Sequence, residues 1–410
     1  MSLKLLTISS LYQGNLSLFY KNFTDTGGLS YEDHCKLLLN EITEFAGSYY
    51  RGFRKAGINA ECIIANDKIL QDKWRTENGG KSYDDCKTLS EQVINVKPDI
   101  LWIENLGFTD AVWLQEIRKK VKSIKLIIVY HCSPFRPGYH ERLKYVDFII
   151  TCTPGLKNYI DGLGFCSYLV YHGFDNEILT RIENSEILHH NNLIFSGSLS
   201  TGPGYHGSRI DLIERILLEG IDITLYADLE KNYRIKAKQT LYALNELLKK
   251  IGMENLTKKV SFMQYGSAKI RSYSDILLRK TNEPVFGLEM YSVFRASKIV
   301  LNHHADISGD YAGNMRLFEV TGVGSCLLTD NKSNMKDLFV PDIEVVTYDS
   351  IDDCIEKVIW LFDNEKERVG IASAGQKKTL LKHTVEDRCR QIKDIIENYL
   401  SYGSPVTAMH

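Results

Sequence analysis

The sequence predicts an α/β protein built from two successive doubly wound domains, each with a parallel sheet covered by helices on both faces. Short apolar runs rich in β-branched and aromatic residues alternate with helical segments through the first half of the chain. The same alternation starts again near Asn192, and 410 residues are enough for two or three domains.

The composition is that of an ordinary globular protein: 44% of the residues are hydrophobic and 25% are charged. A formal net charge of −2 gives no general attraction to nucleic acid, so we expect no nucleic-acid partner. No run approaches 18 apolar residues, and the first ten residues, MSLKLLTISS, lack the features of a signal peptide. Nine scattered cysteines without a Cys-x-x-Cys pair predict free thiols in a reducing compartment, which favours a cytoplasmic protein without a zinc motif.

In the first half, a long helix is predicted over Tyr31–Lys55, with Ser30 as its N-cap and Asp33 in a capping-box position. The strands predicted around it are Leu3–Ile8, Ala60–Ile64, Ile100–Ile103, Leu126–Tyr130, Phe148–Thr151 and Tyr168–Tyr171.

In the second half, a helix is predicted over Lys231–Ile251. The predicted strands are Leu193–Phe195, Ile221–Tyr226, Val260–Gln264, Ile299–Asn302, Ser325–Thr329 and Glu344–Thr347. A polar stretch near 180–190 separates the halves, so we predict domains over residues 1–187 and 188–384 and a final helix over 385–402 that returns to the first domain.

The loops that follow the strands are the expected functional region, because open parallel sheets bind ligands beyond the carboxyl ends of their strands. The stretch Asn302–Asp330 contains such a loop, followed by a predicted helix from Asn314 to Thr321. The start of this helix and Arg316 could hold a diphosphate, and Glu319 could accept hydrogen bonds from ribose hydroxyls. A capped surface helix with an Arg–Glu pair is the alternative.

The stretch Phe195–Arg209, FSGSLSTGPGYHGSR, is the second candidate. Gly197 lies where a strand becomes a loop, and four glycines would let the backbone approach a phosphate closely. Arg209 begins the following helix and is predicted to face the same cleft. A surface loop without a ligand is the alternative reading.

From about Leu193 to Ile392 the chain resembles bacterial glycosyltransferases of the CgeB-like type, often labelled family 1 or group 1. The resemblance is carried by the segments FSGSLS…HGSR, PVFGLEMYSVFRASKIVLNHH, YAGNMRLFEVTGVGSCLLTD and IASAGQKKTLLKHTVEDR. It implies the GT-B architecture, two Rossmann-like domains facing a cleft, with a nucleotide sugar held mainly by the second domain. It also implies catalysis without a metal or other cofactor, because fixed positive groups neutralise the leaving diphosphate.

The resemblance assigns roles to individual residues. Arg316 would contact the diphosphate or sugar and Glu319 the ribose, with Arg209 as a second cation near the leaving group. The remaining residues placed at the donor by the same motifs are Gly197, His206, Asn302, His304, Asn314, Met315 and Thr321.

His131 follows a predicted strand and is a catalytic candidate, because a histidine at this place faces the donor sugar in many GT-B enzymes. The CgeB-like type often carries glutamine there, so a structural histidine at a strand end is the alternative. Asp25, His34 and Glu104 are candidates for a general base, and the sequence does not choose among them.

The expected function is transfer of a sugar from a nucleotide-diphosphate sugar to a hydroxyl of a glycan, a lipid-linked intermediate or a protein, in surface glycan or glycoconjugate synthesis. A lipid-linked acceptor would bring peripheral association with a membrane. The alternatives are a GT-B-like nucleotide-sugar epimerase and a non-catalytic nucleotide-sugar-binding protein of a polysaccharide assembly.

Overall fold

The computed structural model describes residues 3–79, 85–133, 135, 138–182, 191–201, 206–253, 263 and 269–403. It contains two six-stranded sheets, and every strand pairing in them is parallel. The two parallel sheets expected from the alternating pattern are therefore confirmed.

The first sheet has the strand order β2-β1-β3-β4-β5-β6. Its strands are β1 (Lys4–Ser9), β2 (Asn59–Ile64), β3 (Ile100–Ile103), β4 (Leu126–Tyr130), β5 (Phe148–Thr151) and β6 (Ser167–Leu169). On β1, Leu5 lies opposite Ala60 of β2 on one side and Ile100 of β3 on the other. All residues of β3, β4 and β5 are buried, because helices cover both faces of a parallel sheet.

Nine helices accompany this sheet in the described part of the chain. They are α1 (Gln13–Asn22), α2 (Tyr31–Glu41), α3 (Phe45–Lys55), α4 (Lys68–Glu77), α5 (Asp85–Val96), α6 (Ala111–Lys120), α7 (Tyr139–Leu143), α8 (Pro154–Gly162) and α9 (Glu177–Ile182).

The single long helix predicted over Tyr31–Lys55 is wrong, because the chain breaks into α2 and α3 at residues 42–44. Ser30 does cap α2, accepting a hydrogen bond from the Asp33 amide at 3.1 Å and donating one to the Asp33 carboxylate at 2.8 Å. Ile42 and Glu44 are both extended, which ends one helix and starts the next. The break places Glu44 at the start of α3, facing the other domain.

The second sheet has the order β12-β11-β10-β7-β8-β9. Its strands are β7 (Asn191–Ser198), β8 (Ile223–Asp228), β9 (Thr281–Asn282), β10 (Ser297–Asn302), β11 (Cys326–Asp330) and β12 (Val346–Tyr348). The predicted strand Val260–Gln264 lies outside the described residues apart from Met263, and the short strand β9 forms the edge beside β8.

The remaining described helices are α10 (Gly207–Leu218), α11 (Asn232–Lys250), α12 (Asp275–Lys280), α13 (Gly287–Arg295), α14 (Arg316–Gly322), α15 (Met335–Leu338), α16 (Ile351–Asp363), α17 (Glu365–Lys382) and α18 (Val385–Tyr402). The helix predicted over Lys231–Ile251 corresponds to α11. The helix predicted from Asn314 instead begins at Arg316, so α14 has only seven residues.

The last helix, α18, packs against α3 on the first sheet. Cys389 and Ile392 are fully buried there beside Tyr49 and Phe53. Gly52 lets the two helices approach closely, since a Cβ at this position would lie 2.7 Å from the Cys389 Sγ. The domain boundary predicted at residues 187–188 lies outside the described residues.

No helix in the described ranges combines the length and the apolar character needed to cross a membrane.

Candidate active site

The carboxyl ends of the two sheets face each other across a cleft, which contains two adjoining cavities of about 630 Å³ and 840 Å³. The first, here called the donor-side cavity, is lined largely by the second domain. The second, the acceptor-side cavity, is lined largely by the ends of β1, β3, β4, β5 and β6. Both cavities are lined by Tyr12, Glu44, Phe45, His172, Asn314 and Met315.

Arg209 lies on the donor-side cavity with its charge buried. Its Nε and Nη2 atoms donate to the His303 carbonyl at 3.0 Å and 2.5 Å, and Nη1 donates to the Ser198 carbonyl at 3.0 Å. Of the described residues, no carboxylate forms an ion pair with it. Burial and the positive charge of Arg316 lower the pKa of Arg209 to about 10, so the guanidinium is still charged at neutral pH. A buried cation in this position favours a negatively charged ligand.

Arg316 and Glu319 form an ion pair on the same cavity, with 2.7 Å between Arg316 Nη1 and Glu319 Oε2. The side chains are only 16% and 11% exposed, so the pair is not the surface helix contact given as the alternative. Arg316 also donates to the Ser196 carbonyl at 3.0 Å and lies over the Phe294 ring at 4.4 Å. These contacts fix both side chains at the end of β7.

Asn302, Asn314 and Met315 complete the part of the predicted donor set that lines the cleft. Asn314 Nδ2 donates to Asn302 Oδ1 at 2.8 Å, and Asn302 Nδ2 donates to Thr329 Oγ1 at 2.8 Å. Asn314 Oδ1 is buried without a hydrogen-bond partner among the described residues. This oxygen is an acceptor available to a ligand hydroxyl.

Gly197 also lines the donor-side cavity, but the loop after it does not present an open helix N-terminus. The carboxylate of Asp306 accepts hydrogen bonds from the Gly207 amide at 2.9 Å and from the Ser208 amide at 3.4 Å. The first amides of α10 are therefore already satisfied by a side chain. Residues 202–205 of the glycine-rich stretch lie outside the described residues.

Three of the predicted donor residues do not line either cavity. Thr321 is buried between α14 and α17, donating to the Leu317 carbonyl at 2.6 Å. His304 is buried with its Nδ1 atom 2.7 Å from Asp330 Oδ1. His206 accepts a hydrogen bond from the Ser200 amide at 3.1 Å, and burial together with Arg209 lowers its pKa to about 4, which keeps it neutral. These positions support the cleft residues rather than lining the cleft.

His131, the predicted catalytic histidine, also lies away from the cavities. Its amide donates to the Ile150 carbonyl at 2.8 Å, which continues the pairing of β4 with β5. Its neighbours Tyr130 and Cys132 line the acceptor-side cavity. Because successive side chains of an extended strand point to opposite faces, His131 lies instead against Phe135, with 4.8 Å between ring centroids.

Of the carboxylates that line the acceptor-side cavity, Glu44 and Glu104 have raised pKa values. Burial raises the pKa of Glu44 to about 7, although hydrogen bonds from Asn15 and the Tyr12 amide oppose the shift. Burial raises the pKa of Glu104 to about 8 against a hydrogen bond from Ser9, and the charge of Glu44 adds to the rise. Carboxylates with raised pKa values in a cleft are candidates for acid–base catalysis.

The sequence named Glu104 among its base candidates but missed Glu44, which has no motif around it. Glu44 could have been found only from the break between α2 and α3. The cleft wall formed by residues 284–287 was also not assigned a role, although it lies in one of the segments that carried the family resemblance. Here Gly14 of α1 packs so closely that a Cβ would lie 2.4 Å from the Phe286 ring.

Comparison with known proteins agrees with this architecture. Residues 238–394 match the family model described as "Glycosyl transferase-like". No curated protein sequence matches the chain.

Solved structures with the same fold include HepE of Anabaena in complex with UDP-glucose, with a TM-score of 0.55 and 11% identity over 97% of this chain and 100% of HepE. A glycosyltransferase of Rickettsia africae ESF-5 gives a TM-score of 0.54 and 10% identity over 98% of this chain and 100% of that chain. Sucrose-phosphate synthase of Thermosynechococcus elongatus gives a TM-score of 0.55 and 7% identity over 97% of this chain and 99% of that chain. The identities are low, so these structures establish the fold, and the CgeB-like subtype stays a prediction. Residues 238–394 are therefore glycosyl transferase-like by sequence, and the whole chain shares the fold of these solved structures.

Proposed function

We propose that the protein transfers a sugar from a nucleotide-diphosphate sugar to a hydroxyl acceptor without a metal ion. The observation that carries the proposal is Arg209, a buried cation that has only carbonyl partners among the described residues and faces a cavity shared with Arg316. A leaving diphosphate would supply the anionic partner that Arg209 does not have among the described side chains. Fixed cations in a partly dehydrated site are an effective way to stabilise such a leaving group.

The two cavities divide the reactants between the domains. Glu319 would accept hydrogen bonds from the ribose, while Arg209 and Arg316 would contact the diphosphate. Since α14 has only seven residues, we assign the anion contacts to the arginine side chains rather than to its dipole. The binding of UDP-glucose by the similarly folded HepE supports a nucleotide sugar as the donor.

The acceptor hydroxyl would enter the acceptor-side cavity, where Glu44 and Glu104 can take its proton. Glu44 lines both cavities, so it lies at the junction where the hydroxyl must approach the donor sugar. His131 lies outside both cavities and has no part in this proposal. A glycan, a lipid-linked intermediate or a protein would supply the hydroxyl, in a cytoplasmic step of surface glycan synthesis.

The test is release of nucleotide diphosphate from a panel of nucleotide sugars, measured in excess chelator. We compare the wild type with Arg209→Ala and Arg209→Lys, and use Arg279→Ala, an exposed arginine, as the matched control. Loss of one charged donor should lower turnover by a factor of about 10² to 10³. Lysine should restore part of the rate, because it keeps the charge but lacks the planar fork.

Four results would contradict the proposal. Loss of wild-type activity in chelator with recovery in magnesium or manganese would refute the metal-free mechanism. A near-normal rate for a folded Arg209→Ala protein would place the anion site elsewhere. Interconversion of free nucleotide sugars would indicate an epimerase, and tight binding without turnover would indicate a non-catalytic binding protein.

A further inference from the structure

Three side chains that can bind a metal meet at one edge of the first sheet: Cys132, Cys152 and His172. Their nearest ligand atoms all lie within 4.8 Å of one another. They form the one such group of histidine, cysteine or carboxylate side chains found in the part of the chain that the structure describes. No short sequence motif connects them, since each lies 20 positions after the one before it.

The cluster follows directly from the sheet topology. Cys132 comes just after β4, Cys152 just after β5 and His172 shortly after β6, and these three strands are neighbours. The carboxyl ends of parallel strands meet at the same edge, so residues far apart in sequence come together there. This explains why cysteine spacing alone predicted no metal site.

The imidazole of His172 is already oriented for coordination. Its Nδ1 atom lies 2.9 Å from the Tyr130 hydroxyl, which fixes the ring, so we assign Nε2 as the ligand atom. A hydrogen bond to the second ring nitrogen is the usual support of a metal-binding histidine. Cys152 and His172 are buried and Cys132 is half-buried, so water competes weakly for the site.

We propose that Cys132, Cys152 and His172 bind one thiophilic divalent cation such as Zn²⁺, with a fourth coordination position open to the cleft. All three residues line the acceptor-side cavity, so the open position points to solvent or to a ligand in that cavity. In a tetrahedral zinc site the ligand atoms are about 3.5–3.8 Å apart, given Zn–S and Zn–N distances of about 2.3 Å and 2.0 Å. The present separations need shifts of no more than about 1 Å to reach that geometry.

The consequence for activity rests on the proposed transfer reaction. The cation would occupy part of the acceptor-side cavity, next to Glu44 and Glu104, which also line it. It is not required for the chemistry on the donor side, where Arg209 and Arg316 supply the positive charge. Zinc should therefore slow transfer to the acceptor and leave donor binding unchanged.

The binding test uses Co²⁺ as a spectroscopic probe on the full chain, reduced and freed of metal. We expect one equivalent of Co²⁺ to give the thiolate-to-cobalt charge-transfer absorption, and one equivalent of Zn²⁺ to displace it. Cys132→Ser and Cys152→Ser should each weaken Zn²⁺ binding by at least a factor of about 10. Two control variants should bind like the wild type: Cys166→Ser, at a half-buried cysteine just before β6, and Cys86→Ser, at an exposed cysteine.

Absence of the charge-transfer band, or an equal band in Cys132→Ser and Cys152→Ser, would overturn the proposal. Formation of a Cys132–Cys152 disulfide under mild oxidation, with no cobalt band in the reduced protein, would overturn it in favour of a redox pair. Co²⁺ binding is measured without turnover, so its result tests the metal site independently of the proposed transfer reaction. A second experiment compares the rate of sugar transfer with and without Zn²⁺. The two rates should differ for the wild type and be equal for Cys132→Ser.

Discussion

At the scale of single residues, the candidate site depends on which face of a strand or helix each side chain occupies. Arg209, Arg316 and Glu319 were predicted from motif positions, and all three line the donor-side cavity. His131, predicted to be catalytic, does not line either cavity, because the alternation of an extended strand turns its side chain away from those of Tyr130 and Cys132. A sequence predicts the end of a strand to within one or two residues. A shift of one residue moves a side chain to the opposite face of the sheet.

Glu319 carries the first prediction at this scale. Glu319→Ala removes an acceptor for the ribose hydroxyls, which should cost about 1–3 kcal/mol, or one to two orders of magnitude in donor affinity. Glu319→Gln should lose less, because its amide oxygen still accepts a hydrogen bond. Calorimetric titration with the donor measures the change, and Glu289→Ala, an exposed glutamate on α13, is the control. An unchanged donor dissociation constant in a folded Glu319→Ala protein would refute the assignment.

Glu104 leads to a prediction about pH and stability. Its pKa is raised from a usual value near 4.3 to about 8 in the folded protein, so the folded state binds more protons between those values. Stability should therefore fall as the pH rises from about 4.5 to about 8, and level off above that range. Glu104→Gln has no carboxylate to ionise, so its stability should decline less over the same range.

The measurement is the midpoint of denaturant unfolding at about pH 5 and about pH 9. Glu397→Gln, an exposed position on α18, should keep the wild-type difference between the two midpoints. If Glu104→Gln loses as much stability as the wild type, the buried carboxyl is not what makes the protein pH-sensitive.

At the scale of elements, apolar periodicity and caps predicted most strands and the start of α2. The break at residues 42–44 was not predicted. Residues 31–55 contain no proline, and Gly57, just after them, is the expected end of one continuous helix. The extended backbone of Ile42 and Glu44 is fixed by tertiary contacts, among them the bonds from the Tyr12 amide to Glu44 at 3.1 Å and 3.2 Å. Such contacts join parts of the chain that are distant in sequence, so a local sequence pattern does not predict them.

Two helical glycines give a matched prediction about helix packing. A Cβ at Gly52 would lie 2.7 Å from Cys389 Sγ, so Gly52→Ala should push α18 away from α3 and destabilise the protein by about 1–3 kcal/mol. A Cβ at Gly370 of α17 would meet nothing within 4 Å, so Gly370→Ala should stabilise it by about 0.5–1 kcal/mol. Thermal unfolding of both variants checks the pair. Equal shifts of the unfolding temperature in the same direction for both variants would show that helix propensity, not the α3–α18 contact, determines the change in stability.

At the scale of the whole molecule, the sequence predicted two parallel sheets and a cleft, but not how closely the domains meet. That distance depends on small residues at the contact. Gly313 of the second domain packs against the start of α8, where a Cβ would lie 2.3 Å from Thr153 Cγ2 and 2.9 Å from the Cys152 carbonyl. The same contact borders the acceptor-side cavity.

The last prediction follows from this contact. Gly313→Ala has no room against the Cys152 backbone, so the domains must move apart or the loop must shift by some tenths of an ångström to an ångström. Misplacement by about 1 Å can lower a rate by a factor of about 10², because the reacting groups no longer meet in the attack geometry. Turnover should therefore fall at least about tenfold, while the donor dissociation constant stays nearly unchanged, since Arg209, Arg316 and Glu319 all belong to the second domain.

Gly28→Ala, in a loop of the first domain with nothing within 4 Å, is the control and should behave like the wild type. Steady-state turnover and calorimetric donor binding measured on the same preparations separate the two effects. Loss of donor affinity in step with turnover would mean that Gly313 shapes the donor site itself rather than the approach of the two domains.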